Sequence, residues 1–303
     1  MFHSSIFWSA DVASKIVDLV HLTSPANENN QIFRKRLKER FWNGIVVDWK
    51  DVESYIEEDD CVLIGPGMTR NEDTTIEDRR LKIGVENRRL KVEKDDLSSI
   101  FNPLPPPSIL HHLPSSELDR WGREDETENI VNFLLKKYPA KKWVIDGGAL
   151  QEVEPELITE SCILTPHQKE FEKLIEMTEK RPGLAKQGQA LSETLKNCTI
   201  ILKGQIDIVY QGKKYAEIKG GNAGMTKGGT GDVLAGLAAA LYTKNDSWTA
   251  ATMASYINKK AGDQLYKRAG PYFNAADLVN EIPQTMKYLR EYNSPEQKAL
   301  QKL

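Results

Sequence analysis

The stretch GNAGMTKGGTGDVLAGLAAAL, residues 221–241, sets five glycines ahead of a nearly unbroken apolar run, with one carboxylate, Asp232, at the seam. Val233, Leu234, Leu237, Ala238 and Leu241 recur at helical spacing, while Ala235, Gly236, Ala239 and Ala240 keep the other faces slim, a pattern that predicts a buried helix. The preceding GGTG (228–231) brings backbone N–H groups, with almost no side chains in the way, to the positive end of that helix. Unpaired N–H groups and aligned peptide dipoles favour an anion there, and phosphate is the natural guest. The stretch is not a Walker loop, because Lys227 is followed by Gly228, and it lacks the G-x-G-x-x-G dinucleotide pattern. Asp232 has two readings. It could be a first-turn acid that complements the helix dipole. Yet a carboxylate beside a phosphate is repelled by its ligand unless a proton or metal intervenes, which points to a general base acting on a hydroxyl that attacks a phosphoryl group.

Working outward from this stretch, short β-branched runs alternate with amphipathic ones. GIVVDW (44–49), CVLIG (61–65), KWVID (142–146), CILT (162–165) and TIILKG (199–204) read as strands. QIFRKRLKERF, ENIVNFLLKKY, HQKEFEKLIEM and a stretch near 184–197 read as helices. This alternation, with nearly continuous apolar strands, predicts an α/β fold whose parallel sheet is covered by helices on both faces and binds ligands beyond the carboxyl ends of its strands. IDIVYQGKKYAEIKG (206–220) reads as an antiparallel edge hairpin, and residues 232–290 as mostly helical with a break at AGPYFNAAD, where Asn274 caps the last helix. Residues 71–126, densely charged and then rich in proline, read as a surface excursion from a single domain spanning 1–303. His111 and His112 within it lack partners at metal-site spacing and read as loop residues.

The net charge of −3 gives no long-range attraction to nucleic acid or anionic membranes, so an anionic ligand must be held locally. Cys61, Cys162 and Cys198 lie at irregular spacing in apolar runs, as reduced core residues do. No stretch approaches the roughly 20 apolar residues of a membrane span, and no basic segment with an apolar signal core opens the chain; the expectation is a cytoplasmic protein.

NAGMTKGGTGDVLAG (222–236) resembles the N-P-G-M-x-x-G-G-T-G-D-x-L-x-G signature of the NAD(P)H-hydrate dehydratases, with Ala223 in place of the proline. This family is ribokinase-like and related to the carbohydrate kinase and hydroxyethylthiazole kinase groups. GPG (65–67), VIDGGAL (144–150), LTPHQKEF (164–171) and LKG (202–204) match in the same order. The resemblance implies a three-layer α/β/α sandwich that repairs hydrated nicotinamide cofactors: ADP or ATP phosphorylates the ring hydroxyl, and loss of phosphate restores NADH or NADPH. It gives Asp232 the role of binding and deprotonating that hydroxyl, and assigns Gly228, Gly229, Thr230 and Gly231 to the nucleotide. Gly67 and His167 would meet the hydrated cofactor. KGQID (203–207) matches the family's K-G-x-x-T segment, so Lys203, Gly204, Gln205, Ile206 and Asp207 would face the nucleotide, with Asp207 standing where threonine is usual.

The family usually opens with a strand and a glycine-rich segment. This chain opens MFHSSIFWSADVASKIVDLV, so Ser4 and Ser5 stand in place of a Gly and an Ala that touch substrate, and the first strand is expected to be missing through truncation or divergence. Magnesium is expected because charge on a transferred phosphate needs neutralising, though no carboxylate cluster identifies its ligands. Relatives commonly self-associate, which makes a homo-oligomer the expectation. Two other readings stay open: a kinase for a vitamin precursor or sugar on the same fold, and a non-catalytic nucleotide-binding module.

Overall fold

The computed structural model describes residues 5–40, 44–68, 127–178 and 188–292. The expected surface excursion, with His111 and His112, and Ser4 lie outside the described residues. Within them the chain forms ten α-helices and eight strands. The strands are β1 (Val20–Leu22), β2 (Gly44–Val46), β3 (Cys61–Ile64), β4 (Lys142–Ile145), β5 (Cys162–Leu164), β6 (Thr199–Leu202), β7 (Asp207–Gln211) and β8 (Lys214–Ile218). The helices are α1 (Ser5–Ser14), α2 (Asn27–Arg40), α3 (Val52–Glu58), α4 (Thr127–Lys137), α5 (Gly147–Glu152), α6 (Gln168–Thr178), α7 (Gly188–Thr194), α8 (Thr230–Tyr242), α9 (Ser247–Ala269) and α10 (Ala275–Tyr292).

β3 to β8 form one sheet in chain order, parallel from β3 to β6 and antiparallel through the β7–β8 hairpin, as the apolar runs predict. Because the parallel strands advance in one direction, crossovers of a single hand carry α4 to α7 onto one face. Trp143, Ile145, Cys162, Leu164 and Ile200 point into that layer and meet Val131, Leu135, Leu150, Leu174 and Leu191. The alternate residues Val144, Ile163, Ile201 and Val209 point to the other face, which α8, α9 and α10 cover with Val233, Leu237, Ala254, Ile257 and Leu278. The three cysteines are free, and burial pushes their thiols up from the ordinary range, as inert core residues.

The start departs from expectation in one respect. GIVVDW joins no wider sheet: β2 pairs in parallel with β1 alone, and β3 is the edge of the six-stranded sheet among the described residues. The opening segment is helical, and α1 lies across α8. The slim face of α8 exists for this contact. A Cβ added at Gly236 would stand 2.3 Å from the Ser9 carbonyl oxygen and 2.5 Å from its Cα, both main-chain atoms that cannot swing aside. Ser9 Oγ in turn donates to the Asp232 carbonyl at 2.8 Å.

Helix ends follow the expected chemistry. Asn274 Oδ1 accepts from the N–H of Ala276 at 2.8 Å and caps α10, while Asp246 caps α9, accepting from Thr249 Oγ1 at 2.7 Å and from the Thr249 N–H at 2.9 Å; the hydroxyl bond first, and the N–H bond after it, lower the Asp246 pKa. Gly236→Val should lower stability by about 2–3 kcal/mol, since overpacking against backbone finds no relief. Urea unfolding would measure it, and a loss under about 0.5 kcal/mol would show that α1 is not packed as described.

Candidate active site

Parallel strands that end together leave their following loops on one edge, and here those loops carry the chemistry. Gly65, with φ +116°, passes so close to the end of β4 that a Cβ would stand 1.7 Å from the Asp146 carbonyl oxygen; only glycine lets the 65–67 turn reach that point. Past β5 and β6 the parallel pairing continues as a bridge between His167 and Lys203, with the Lys203 N–H donating to the Pro166 carbonyl at 2.9 Å. Thus Gly65–Gly67, Asp146, Thr165–His167 and Lys203–Gly204 line one edge.

The Lys203 ammonium is the centre of this edge. Its Nζ lies 2.9 Å from Asp146 Oδ1, which also accepts from Thr165 Oγ1 at 2.6 Å. Burial alone would lower the lysine pKa; the carboxylates of Asp146, Glu170 and Asp232 outweigh it and hold the group above its ordinary value. Glu170 is buried at the third position of α6, where its carboxylate accepts from the His167 N–H at 2.9 Å, while His167 Nδ1 accepts from the Glu170 N–H at 3.3 Å. This is a capping box with histidine in the serine position. The imidazole keeps 43% of its surface exposed, with Nε2 3.2 Å from Glu170 Oε1.

The start of α8 closes the edge from the other side. A Cβ at Gly228 would meet nothing within 4 Å, so that position leaves open space before the helix, while one at Gly231 would stand 3.6 Å from Lys203 Nζ, which brings the ammonium against the helix terminus. Gly229 adopts φ +94° and is covered by Trp8 and Ala275. Thr230 Oγ1 donates to the Met225 carbonyl at 2.7 Å, and the Asn222 side chain ties the loop to α9 through the Gly262 carbonyl at 2.9 Å. Asp232 is half-buried in the first turn, close enough to Lys203 to help hold its charge. Ammonium, open helix terminus and carboxylate therefore meet in one place, an arrangement that can grip a phosphoryl group while a base stands beside it.

Most residues expected at the site share this edge: Gly67, His167, Lys203, Gly204, Gly228, Gly231 and Asp232. Gln205 and Ile206 follow Gly204 in an exposed turn, Gly229 is covered by Trp8 and Ala275, and three more take other positions. The Asp207 carboxylate turns inward, 4% exposed, to Lys259 Nζ at 3.1 Å and Ser255 Oγ at 2.7 Å, because a buried charge must find a partner. Thr230 is committed to its own loop: its hydroxyl donates to the Met225 and Lys227 carbonyls, and its N–H lies 3.4 Å from the Lys227 carbonyl. Ser5 begins α1, the helix that packs on α8. Asp146, Thr165, Glu170 and Lys259 were not singled out by motif reading. An N3 acid three residues after a helix-opening residue was the available signal for Glu170, and an acid ending a strand before Gly147 the one for Asp146. Among the described residues no group of three or more His, Cys, Asp or Glu side chains could hold a metal ion.

A family model described as NAD(P)H-hydrate dehydratase matches residues 121–284. The chain is similar to the bifunctional NAD(P)H-hydrate repair enzyme Nnr of Methanocaldococcus jannaschii, 38% identical over 170 residues, which are 55% of this chain and 32% of that protein. It is also similar to the ADP-dependent (S)-NAD(P)H-hydrate dehydratase of Nitrosopumilus maritimus, 36% identical over 174 residues, 55% of this chain and 60% of that one. The chain thus spans about a third of the Nnr relative's length and under two thirds of the shorter one's. The Bacillus subtilis ADP/ATP-dependent NAD(P)H-hydrate dehydratase co-crystallised with ATP/Mg2+ superposes with a TM-score of 0.56 over 94% of this chain and 84% of that one, at 16% identity. That likeness shows a shared fold. With its signature loop, its strand-end residues in order and a family model matched across more than half of its length, the chain belongs to the NAD(P)H-hydrate dehydratase family.

Proposed function

We propose that this chain dehydrates NAD(P)H hydrate with ADP or ATP as phosphoryl donor. The observation that carries the reading is the meeting of the Lys203 ammonium, the α8 terminus with Gly228 open and Gly231 against that ammonium, and the Asp232 carboxylate. Hydroxide is a poor leaving group and phosphate a good one. Asp232 takes the proton from the ring hydroxyl as its oxygen attacks the terminal phosphorus and the bond to the nucleotide breaks. Amides of Gly228 and Gly231 and the Lys203 ammonium meet the charge that spreads over the transferred group. The ring nitrogen then pushes electrons toward the departing phosphate, and loss of a proton from the neighbouring ring carbon restores the reduced nicotinamide. His167, half-exposed beside Lys203, and the Gly67 turn stand where the hydrated ring would lie.

Magnesium belongs to this reading as a companion of the nucleotide. An ion of this kind is held largely by the donor's phosphate oxygens and water and needs few protein ligands. Its chemistry would be to neutralise the donor's phosphate charge. No described helix is long and apolar enough to cross a membrane, and we place the reaction in the cytoplasm, where reduced nicotinamide cofactors are consumed.

Chemically hydrated NADH incubated with ADP or ATP and magnesium should regain reduced-nicotinamide absorbance, and Asp232→Asn should lower kcat by at least about a hundredfold, the scale of a lost general base. Turnover within about tenfold of wild type in that variant would remove Asp232 from the proton transfer. His167→Asn keeps a good helix cap and removes the imidazole. It should raise KM for the hydrate severalfold with little change in melting temperature; an unchanged KM would take His167 out of the substrate site. Lys203→Met should raise KM for the donor and expose the Asp146 charge, costing about 3 kcal/mol of stability, much of it regained in Lys203→Met/Asp146→Asn. The sign with pH follows from the raised lysine pKa. The pair's contribution is fully present below about 10.4 and lost only as pH rises through the higher folded value. Urea unfolding of wild type and Lys203→Met at neutral and strongly alkaline pH should show the two converging at the alkaline end.

A further inference from the structure

Lys259 lies on the buried face of α9 with 4% of its surface exposed, where a lysine is costly unless its charge is met. Four oxygens meet it. Nζ lies 3.1 Å from Asp207 Oδ1 and donates to the carbonyls of Gly204 at 3.0 Å, Gln205 at 3.1 Å and Gly220 at 3.2 Å. Asp207 completes the clamp: Oδ1 accepts from the Gly204 N–H at 2.9 Å, and Oδ2 accepts from Ser255 Oγ, one turn before Lys259, at 2.7 Å.

The consequence is directional. In a trans peptide the N–H points opposite to its carbonyl. Drawing the Gly204 and Gln205 carbonyls inward to one ammonium turns the N–H groups of Gln205 and Ile206 the other way, toward the exposed side of the turn. Successive outward N–H groups form an anion-binding concavity, and this one begins two residues after Lys203, whose own ammonium reaches the α8 terminus.

We infer that Lys259, supported by Asp207, is a positioning residue for the phosphoryl donor: it holds the 204–206 turn so that the Gln205 and Ile206 amides face the donor's phosphate chain. The inference rests on the nucleotide-dependent reading above and adds a residue to it. Asp207 thereby acts through Lys259 and the turn, without touching the nucleotide.

The test is ADP binding to the whole chain by calorimetry with magnesium present, together with steady-state kinetics. Lys259→Met leaves the Asp207 charge buried and could fail to fold, so Lys259→Met/Asp207→Asn, which removes both charges, carries the comparison. We expect the double variant to melt cooperatively and to bind ADP about tenfold or more weakly, with KM for ADP raised alike and kcat at saturating ADP within about twofold. Asp207→Asn alone keeps the three carbonyl contacts and should weaken ADP by less than about threefold. A folded double variant with wild-type ADP affinity would reduce the pair to packing and overturn the inference. In the wild-type chain, hydrogen exchange should slow at the Gln205 and Ile206 amides when ADP is added; no slowing there, with ADP bound, would also overturn it. A wild-type chain that bound neither ADP nor ATP would instead sink the nucleotide-dependent reading, and this inference with it.

Discussion

A helix can be enclosed on every side only if it carries little bulk, and the position of α8 depends on that constraint. Gly236 lets the α1 backbone lie directly on the helix, and small residues let it sit against the sheet and α9. A helix so placed must end somewhere, and its positive end emerges at the carboxyl edge of β3 to β6. The proposed anion site is therefore a by-product of burial: the apolar core fixes where the start of α8 faces. Loop glycines matter second, by leaving Gly228 uncovered and letting Lys203 stand against Gly231 once the helix is in place.

The same edge gathers ionised groups that would each be costly alone. Lys203 is tolerable in its half-sheltered place because Asp146 and Glu170 surround it, and those acids are tolerable because of Lys203. The mutual dependence fixes the ammonium's position before any ligand arrives, as charge stabilisation in a transition state requires. Lys259 repeats the principle one layer deeper, with main-chain carbonyls as most of its partners.

Much of this was legible in the chain. Continuous apolar runs gave the parallel strands β3 to β6 to within a residue or two, because strands covered on both faces leave few polar interruptions, and the turn glycine between two β-rich runs gave the β7–β8 hairpin. The slim helix was legible for a related reason: composition along α8 is dictated by space, and the glycine turn before it carries the proposed phosphate site. What escaped was whatever depends on contacts distant in sequence. β2 reads like any apolar strand, yet its partner is β1, and nothing local distinguishes a two-stranded outlier from a member of the main sheet. KGQID reads as a ligand segment, but Asp207 turns away from it toward a lysine on α9 that looks, in sequence, like one more charge on an amphipathic helix.

The central claim is spatial, so a crystal structure with ADP and magnesium bound tests it most directly. The terminal phosphate should lie against the Gly228 and Gly231 amides, with Lys203 Nζ in contact and the Asp232 carboxylate open toward the substrate side. A well-ordered nucleotide whose phosphates sit away from the start of α8 would contradict it.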